Sequence, residues 1–549
     1  MQPAQATTDH DVIVVGAGFA GLNAIHRFTK EGFDVLGVET AGDLGGTWYW
    51  NRYPGARVDI ESVEYSYGFD EDIQQEWRWP LRYSYRETVI EYLNWVADRL
   101  DLRRHIRFDT RVASLEFDEP SATWAMTTAR GERITARFVV LAVGFLSAVN
   151  LPEIEGLETF AGKLVHSGAW PTEGVELAGK RVGVLGAGAS AVQMMPVIAE
   201  EAAHLTAFQR TPNWCFPIRN EPIDDEYDAF VKENYAEIRE REYRDGIAGM
   251  ILVNKKIRLP NVGSALDATP EEREATYEEI YQAGGPHLAF SYGDISLDLD
   301  ANATIREFLT KKILETVRDP EVARKLIPAH PAYAKRPPGV TGYYEMFNRD
   351  NVSLEALLED PIDRITESGV RMASGREIPL DVLIFATGFD SGAGGALRID
   401  IRGRGGESLN DHWKSGVVSH LGLMTDGFPN LFVLNGARSP SAFFSPPLLA
   451  DWQSRHVLRL IQEMDARGAR AIEPTVEAER DYGAFIDEIG NATVIPHAQG
   501  WWMGDNIPGK PREIQAYVGP FPLYAERAEA ALADDLKGFR LDRAAEPAA

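Results

Sequence analysis

The chain carries one pattern twice: an apolar strand, a glycine turn, then an apolar-periodic helix. In the first copy Val12-Ile13-Val14-Val15 runs into Gly16-Ala17-Gly18-Phe19-Ala20-Gly21, and Leu22, Ile25 and Phe28 recur at helical spacing. In the second copy Val182-Gly183-Val184-Leu185 runs into Gly186-Ala187-Gly188-Ala189-Ser190-Ala191, followed by Val192 and Met195. A GxGxxG pattern alone is weak evidence; the strand before it and the helix after it give it meaning. The outer glycines allow a tight turn and close helix packing, and the middle one lets the backbone approach a pyrophosphate at the helix N-terminus. Two such units predict an α/β chain with two Rossmann-like dinucleotide-binding domains.

The strand after each turn decides which ribose is held. In the first unit Glu39 follows Gly16 by 23 positions. A carboxylate there accepts hydrogen bonds from a ribose 2′-hydroxyl, so an unphosphorylated ribose is expected, as in FAD or NAD. At the same offset from Gly186 stands Gln209, followed by Arg210 and Thr211. An arginine and a hydroxyl in place of the acid suit a 2′-phosphate, which favours NADPH. Both cofactors on one chain imply hydride transfer from NADPH to flavin. Cys215 is the only cysteine, so the reduced flavin has no CxxC pair to reduce. Oxygen or a partner protein must take the electrons.

The 549 residues suffice for roughly three or four domain-sized units. The expected division is 1–150 for the first part of the FAD-binding domain and 151–217 for the first part of the NADPH-binding domain. A helical insertion spans 218–331, 332–379 returns to the NADPH-binding domain, and 380–549 completes the FAD-binding domain with a C-terminal loop. Within the insertion, Thr269-Pro270-Glu271-Glu272 reads as a capping box, Thr304 with Glu307 as a second, and Asp319-Pro320 as a third helix start. Strand-like runs return at Asp381–Ala386 and Pro429–Leu434. A Gly/Pro/aromatic loop from Trp501 to Pro520 precedes a last helix.

A net charge of −27 opposes nucleic acid and anionic membrane surfaces as partners and reads as a solubilising exterior. The start is polar from Met1 to His10 without a basic-then-apolar leader, and no apolar run approaches the ~20 residues of a membrane span. With one cysteine, read as a small buried hydrophobe, the expectation is a cytoplasmic protein without disulfides or metal. Oligomeric state stays open, a monomer included.

At Phe160-Ala161-Gly162-Lys163-Leu164-Val165-His166-Ser167-Gly168-Ala169-Trp170-Pro171 the chain reads FxGxxxHxxxWP, just before the second glycine turn. This resembles the fingerprint of Baeyer–Villiger monooxygenases. Related N- and S-oxidising flavin monooxygenases share FxGxxxH but usually lack the ending, so Trp170-Pro171 favours the ketone-oxidising branch. Gly45-Gly46-Thr47-Trp48-Tyr49-Trp50-Asn51-Arg52-Tyr53-Pro54-Gly55-Ala56-Arg57, followed by Asp59, resembles the family's flavin-contacting segment. Ala386-Thr387-Gly388-Phe389-Asp390 and Asn506-Ile507-Pro508-Gly509-Lys510-Pro511-Arg512 resemble its domain-closing strand and C-terminal loop. The chain departs from the pattern at Ala191, which replaces the last glycine, and at Val58, where a cysteine is expected.

The resemblance implies conversion of a ketone and dioxygen to an ester or lactone, through a C4a-peroxide of the NADPH-reduced flavin, with sulfoxidation as a side activity. It places catalysis on Arg336, oriented by Asp59, because two successive anions need a fixed cation and several donors. Lys335 joins Arg210 on the NADPH phosphate; Tyr65, Val112, Ser190 and Gln193 join the cofactor contacts. Trp501 closes over the coenzyme, and Ser441, Ala442 and Phe443 line the substrate pocket. His166 reads as a structural link between the nucleotide domains rather than a base. The competing readings are an N- or S-oxidising flavin monooxygenase, an NADPH-flavin reductase serving a partner protein, and a nucleotide-sensing protein without catalysis.

Overall fold

The computed structural model describes residues 7–244 and 263–543, apart from the side chain of Ala442. The polar start before residue 7, the part of the helical insertion at 245–262 and the Ala-rich tail from 544 lie outside the described residues.

Strand β1 (His10–Val15), helix α1 (Phe19–Lys30) and strand β2 (Val35–Val38) form the first unit. The sheet continues through β3 (Ile106–Arg107), β4 (Val112–Asp118), β5 (Thr123–Thr128) and β6 (Arg133–Leu141). The second unit holds β7 (Lys163–His166), β8 (Arg181–Leu185), α2 (Ala189–Glu201) and β9 (His204–Gln209). Among the described residues the helices of the insertion include α3 (Asp225–Arg244), α4 (Pro270–Ala283), α5 (Leu299–Thr316) and α6 (Pro320–Leu326). Then come β10 (Val352–Ala356), β11 (Val382–Phe385), β12 (Asp400–Arg402) and β13 (Leu431–Val433).

Among the described residues the larger sheet has eight strands, ordered β12-β4-β5-β6-β1-β2-β3 with β13 also beside β6. The smaller has five, ordered β10-β9-β8-β11-β7, all parallel. Each glycine turn therefore leaves the C-terminal end of a central parallel strand, where ligands bind in open α/β sheets. Strand alternation explains the layering. Val12 and Val14 face one core with Phe28, while Ile13 and Val15 face another with Trp124 and Leu141. The second sheet divides likewise, Val182 and Val184 on one side, Leu185 and Phe385 on the other.

Three expectations need correction. The run at Asp381–Ala386 lies in the smaller sheet, where Val382 pairs with both Val182 and Lys163. The chain therefore leaves the second unit after Phe385 rather than at 379, because an apolar strand buried on both faces seeks the centre of a parallel sheet. Thr304 caps no helix: it lies inside α5, and its hydroxyl donates to the Ala301 carbonyl. Asp298 caps that helix, accepting from Asp300 and Ala301 N–H at 2.8 and 2.9 Å. The helical insertion is also split between two cores. Val231, Tyr235 and Ile238 of α3 pack into the first unit's core, whereas Ile280, Ile305 and Leu326 pack into the second's. The boxes at Thr269 and Asp319 cap α4 and α6 as expected. Cys215 is buried, which pushes its thiol up to about 12. No described helix is long and apolar enough to cross a membrane.

Candidate active site

Both glycine turns open into one cavity of about 2220 Å³. Gly16 sits at φ +107°, and a side chain there would meet the Ala142 carbonyl at 2.4 Å; Gly186 repeats this at φ +139° and 2.3 Å from the Ala386 carbonyl. Neither α1 nor α2 has a side-chain cap, so the unpaired N–H groups of both helix starts are available to an anion. Gly188 has open space where a Cβ would stand, a cradle that a coenzyme backbone could fill.

The two ribose positions differ as their sequences do. Glu39 is buried at the tip of β2, and its carboxylate accepts the Ala17 and Ala41 N–H groups, each at 2.8 Å. Burial raises its pKa above the ordinary value while those bonds hold it down. Each oxygen keeps a further lone pair for a ribose hydroxyl. Gln209 is buried and turned away, donating to the Lys325 carbonyl at 2.7 Å. Arg210, Thr211 and Lys335 line the cavity instead. Burial, reinforced by the Arg210 charge, pulls the Lys335 ammonium below its ordinary pKa. Among the described residues neither cation has an ion pair or a side-chain hydrogen bond, the state expected of two groups that await a phosphate.

At the centre stand Arg336 and Asp59. Arg336 Nη2 donates to Asp59 Oδ1 at 2.7 Å, joining segments 277 positions apart. The Asp59 carboxylate is the main reason that the Arg336 pKa lies above its ordinary value. The Arg336 carbonyl is itself held by the Asn213 side-chain amide at 2.9 Å. Trp48 Nε1–H donates to the Tyr65 hydroxyl at 3.1 Å, and burial pushes that phenol to about 12. Tyr53 O–H donates to Gln193 Oε1 at 3.1 Å, and Gln193 donates to the Arg57 carbonyl at 3.2 Å, so α2 is bonded directly to the first unit.

Gly18, Gly46, Thr47, Val112, Ser190, Ser441, Phe443 and Trp501 also line the cavity. Gly21 does not: its missing side chain would stand 1.8 Å from the Gly16 carbonyl, so it serves helix packing. Ala442 belongs to the turn Pro440–Ala442, with its side chain outside the described residues. Ser441 spends its hydroxyl on the Gly436 carbonyl at 3.0 Å. Phe443 packs on Trp502 with ring centres 4.4 Å apart, Trp502 on Trp501 at 5.6 Å, and Trp501 on Phe145 at 5.8 Å. This makes an apolar aromatic wall.

Phe160, Gly162, His166, Trp170 and Pro171 of the fingerprint do not line the cavity, although Gly168 and Ala169 between them do. Phe160 and Trp170 are core residues, Pro171 is half-buried, and a Cβ on Gly162 would strike the Asp381 carbonyl at 2.4 Å. His166 Nδ1 accepts the Gly168 N–H at 3.0 Å, and Nε2 lies 3.5 Å from the Thr387 hydroxyl, which donates to the Asn150 carbonyl. Burial lowers its pKa. Arg57, at the end of the flavin-contacting segment, also lines the cavity, as do Asn213, Tyr292 and Ser296, which no local signal in the sequence marks; only folding brings the insertion's Tyr292 and Ser296 beside the first unit.

A family model described as flavin-binding monooxygenase-like matches residues 9–233. The chain is 40% identical to a Baeyer–Villiger monooxygenase of Pseudooceanicola batsensis over 542 residues, 98% of this chain and 97% of that protein. It is 39% identical to the phenazine N-monooxygenase PhzNO1 of Lysobacter antibioticus over 97% of both. The solved OTEMO complex with FAD and NADP superimposes with a TM-score of 0.92 at 38% identity, covering 98% of this chain and all of that one. The chain belongs to the Baeyer–Villiger monooxygenases, FAD-containing enzymes that use NADPH and dioxygen to turn ketones into esters or lactones.

Proposed function

We propose that Arg336 and Asp59 are the catalytic pair of the oxygenation and that the cavity takes a ketone with an apolar flank. The observation that carries this is the 2.7 Å ion pair between them, set where both coenzyme turns open. Bound flavin supplies the chemistry of hydride acceptance and oxygen activation. The protein's part is to stabilise negative charge as it develops on oxygen during attack at a carbonyl. A guanidinium is always charged and presents several donors in a fixed fork. Asp59 occupies one donor and fixes the plane, leaving the remaining N–H groups for that oxygen.

Glu39 takes the ribose of FAD and the uncapped start of α1 its pyrophosphate, beside Gly16, Gly18, Gly46, Thr47, Trp48, Tyr65 and Val112. Gly186, Gly188, Ser190 and Gln193 hold the NADPH backbone; Arg210, Thr211 and Lys335 take its 2′-phosphate. Trp501 closes the site and, with Phe443, keeps water from the reacting atoms, since a dry site strengthens every interaction the arginine makes. His166 joins the two units through Thr387. On this reading 1–150 with 386–543 is the FAD half, and 151–385 is the NADPH half with the helical insertion. The single buried thiol suits a cytoplasmic enzyme.

The test is aerobic turnover with NADPH and cyclic, linear and aryl ketones, an amine and a sulfide, read by mass spectrometry. Ester or lactone one oxygen heavier than the ketone is expected; oxygenated amine without ester would move the chain toward its N-oxidising relative. Arg336→Ala should cut ester formation on the order of a hundredfold or more while FAD stays bound. Undiminished turnover would remove Arg336 from the chemistry.

A further inference from the structure

Asp59 does not stand alone; it sits in a strap whose two ends are tied down. The Val58 N–H donates to the Ser84 carbonyl at 3.1 Å, and the Ser62 N–H donates to the Arg82 carbonyl at 2.8 Å. Between these ties Asp59 faces the cavity, while Glu61 does not line it. Glu61 is 1% exposed and forms an ion pair with Arg82, itself 4% exposed, through Arg82 Nε at 2.8 Å. The other Glu61 oxygen accepts the Tyr227 O–H of α3 at 2.9 Å. Arg82 Nη1 donates onward to the Ala283 carbonyl at the end of α4, at 3.0 Å.

A charge pair buried this deeply is costly to desolvate and poor evidence for stability. Its geometry gives it another use. Glu61 is two residues from Asp59, at most about 7 Å along an extended chain, so a shift of its carboxylate reaches Asp59 with little loss. Both helices that hold the pair belong to the insertion, and neither Tyr227 nor Ala283 lines the cavity. The insertion thus grips the strap from behind. We propose that Glu61, held by Arg82 and Tyr227, is a positioning residue that fixes Asp59 and through it the Arg336 guanidinium, so that the helical insertion sets the geometry of the oxygenating pair. This rests on the roles given to Asp59 and Arg336 above.

The experiment uses the FAD-loaded full chain, with the ketone converted best in the panel as probe. It measures ester formed per NADPH consumed, together with flavin content and the KM for NADPH. The variants are Tyr227→Phe, which leaves the ion pair intact and guards against misfolding, Glu61→Gln, Asp59→Asn, and the doubles with Asp59→Asn. Gln74→Ala is the control: Gln74 accepts from Arg239 of the same helix α3 at 3.2 Å but does not touch Glu61. Tyr227→Phe is expected to lower ester per NADPH severalfold and Glu61→Gln on the order of tenfold or more, since small misplacements near reacting groups cost that much. Flavin content and KM should hold, Gln74→Ala should match the parent, and neither change should add to the loss already caused by Asp59→Asn. Unchanged coupling, losses that multiply with that of Asp59→Asn, or an equal loss in Gln74→Ala would each overturn the inference. If Asp59→Asn itself keeps full coupling, the catalytic pair falls first and this inference falls with it.

Discussion

The two glycine turns share a backbone and differ in what surrounds it. In both, a Cβ on the first glycine would strike a carbonyl, that of Ala142 at 2.4 Å in one and that of Ala386 at 2.3 Å in the other. The neighbours of the remaining positions diverge. In the first turn a Cβ on Gly18 would lie 3.3 Å from the Gly46 backbone and one on Gly21 1.8 Å from the Gly16 carbonyl. In the second, Gly188 faces open space, and the last position is Ala191, fully buried without conflict. The side chains that follow each turn differ too: the Glu39 carboxylate is buried and fixed by two backbone N–H groups, whereas the Arg210 guanidinium is exposed and unpaired among the described residues. A closed, preorganised turn suits a resident cofactor, and an open one with free cations suits a coenzyme that comes and goes.

The largest expected effect tests that contrast at its tightest point. Gly21→Ala forces a methyl into the Gly16 carbonyl and should destabilise the first unit by about 3 kcal/mol or more, giving protein largely free of flavin. Normal flavin content and an unchanged thermal midpoint would show that the first turn is no tighter than the second. Next in size, Arg210→Ala should raise the KM for NADPH about tenfold, equivalent to the ~1.5 kcal/mol of one charged hydrogen bond, and leave NADH use as it was. Lys335 sharpens the same point through pH. Its pKa in the coenzyme-free protein is depressed below 10.5, and a bound phosphate raises it again. NADPH affinity is therefore full while Lys335 is protonated in the free protein and falls as pH rises through the depressed value. The KM for NADPH should climb on the alkaline side, and the slope should vanish in Lys335→Ala. The smallest effect is that of Ala191→Gly, about 1 kcal/mol from helix propensity, with the KM for NADPH unmoved. A large loss there would mean that the second helix is seated as tightly as the first.

Much of this was legible in the chain. Glycine turns, strand termini and the acid-for-arginine exchange at Glu39 and Arg210 are local, each contained within a strand, a turn and one following strand. Capping at Thr269 and Asp319 read correctly for the same reason. Thr304 misled because a Thr-x-x-Glu spacing also occurs within an acidic helix whose start Asp298 had already fixed. The boundary at 379 misled because apolar content marks Val382–Phe385 as a buried strand without saying in which sheet. Arg336 and Asp59 came from a family likeness; nothing in their flanks distinguishes that arginine from the other basic residues of the chain.

The sequence by itself determined two strand–turn–helix units, an acid after the first and an arginine after the second, and the absence of a second thiol, because backbone sterics and side-chain chemistry act over a few residues. Tertiary structure alone decided that the two turns share one cavity, that Lys335 comes within reach of the Arg210 charge, and that Asp59 meets Arg336 across 277 positions. It also decided that the insertion's helices hold the strap behind Asp59. The reason is physical: a hydrogen bond or ion pair requires atoms within about 3 Å, and separation along the chain carries no information about that distance once the cores have closed.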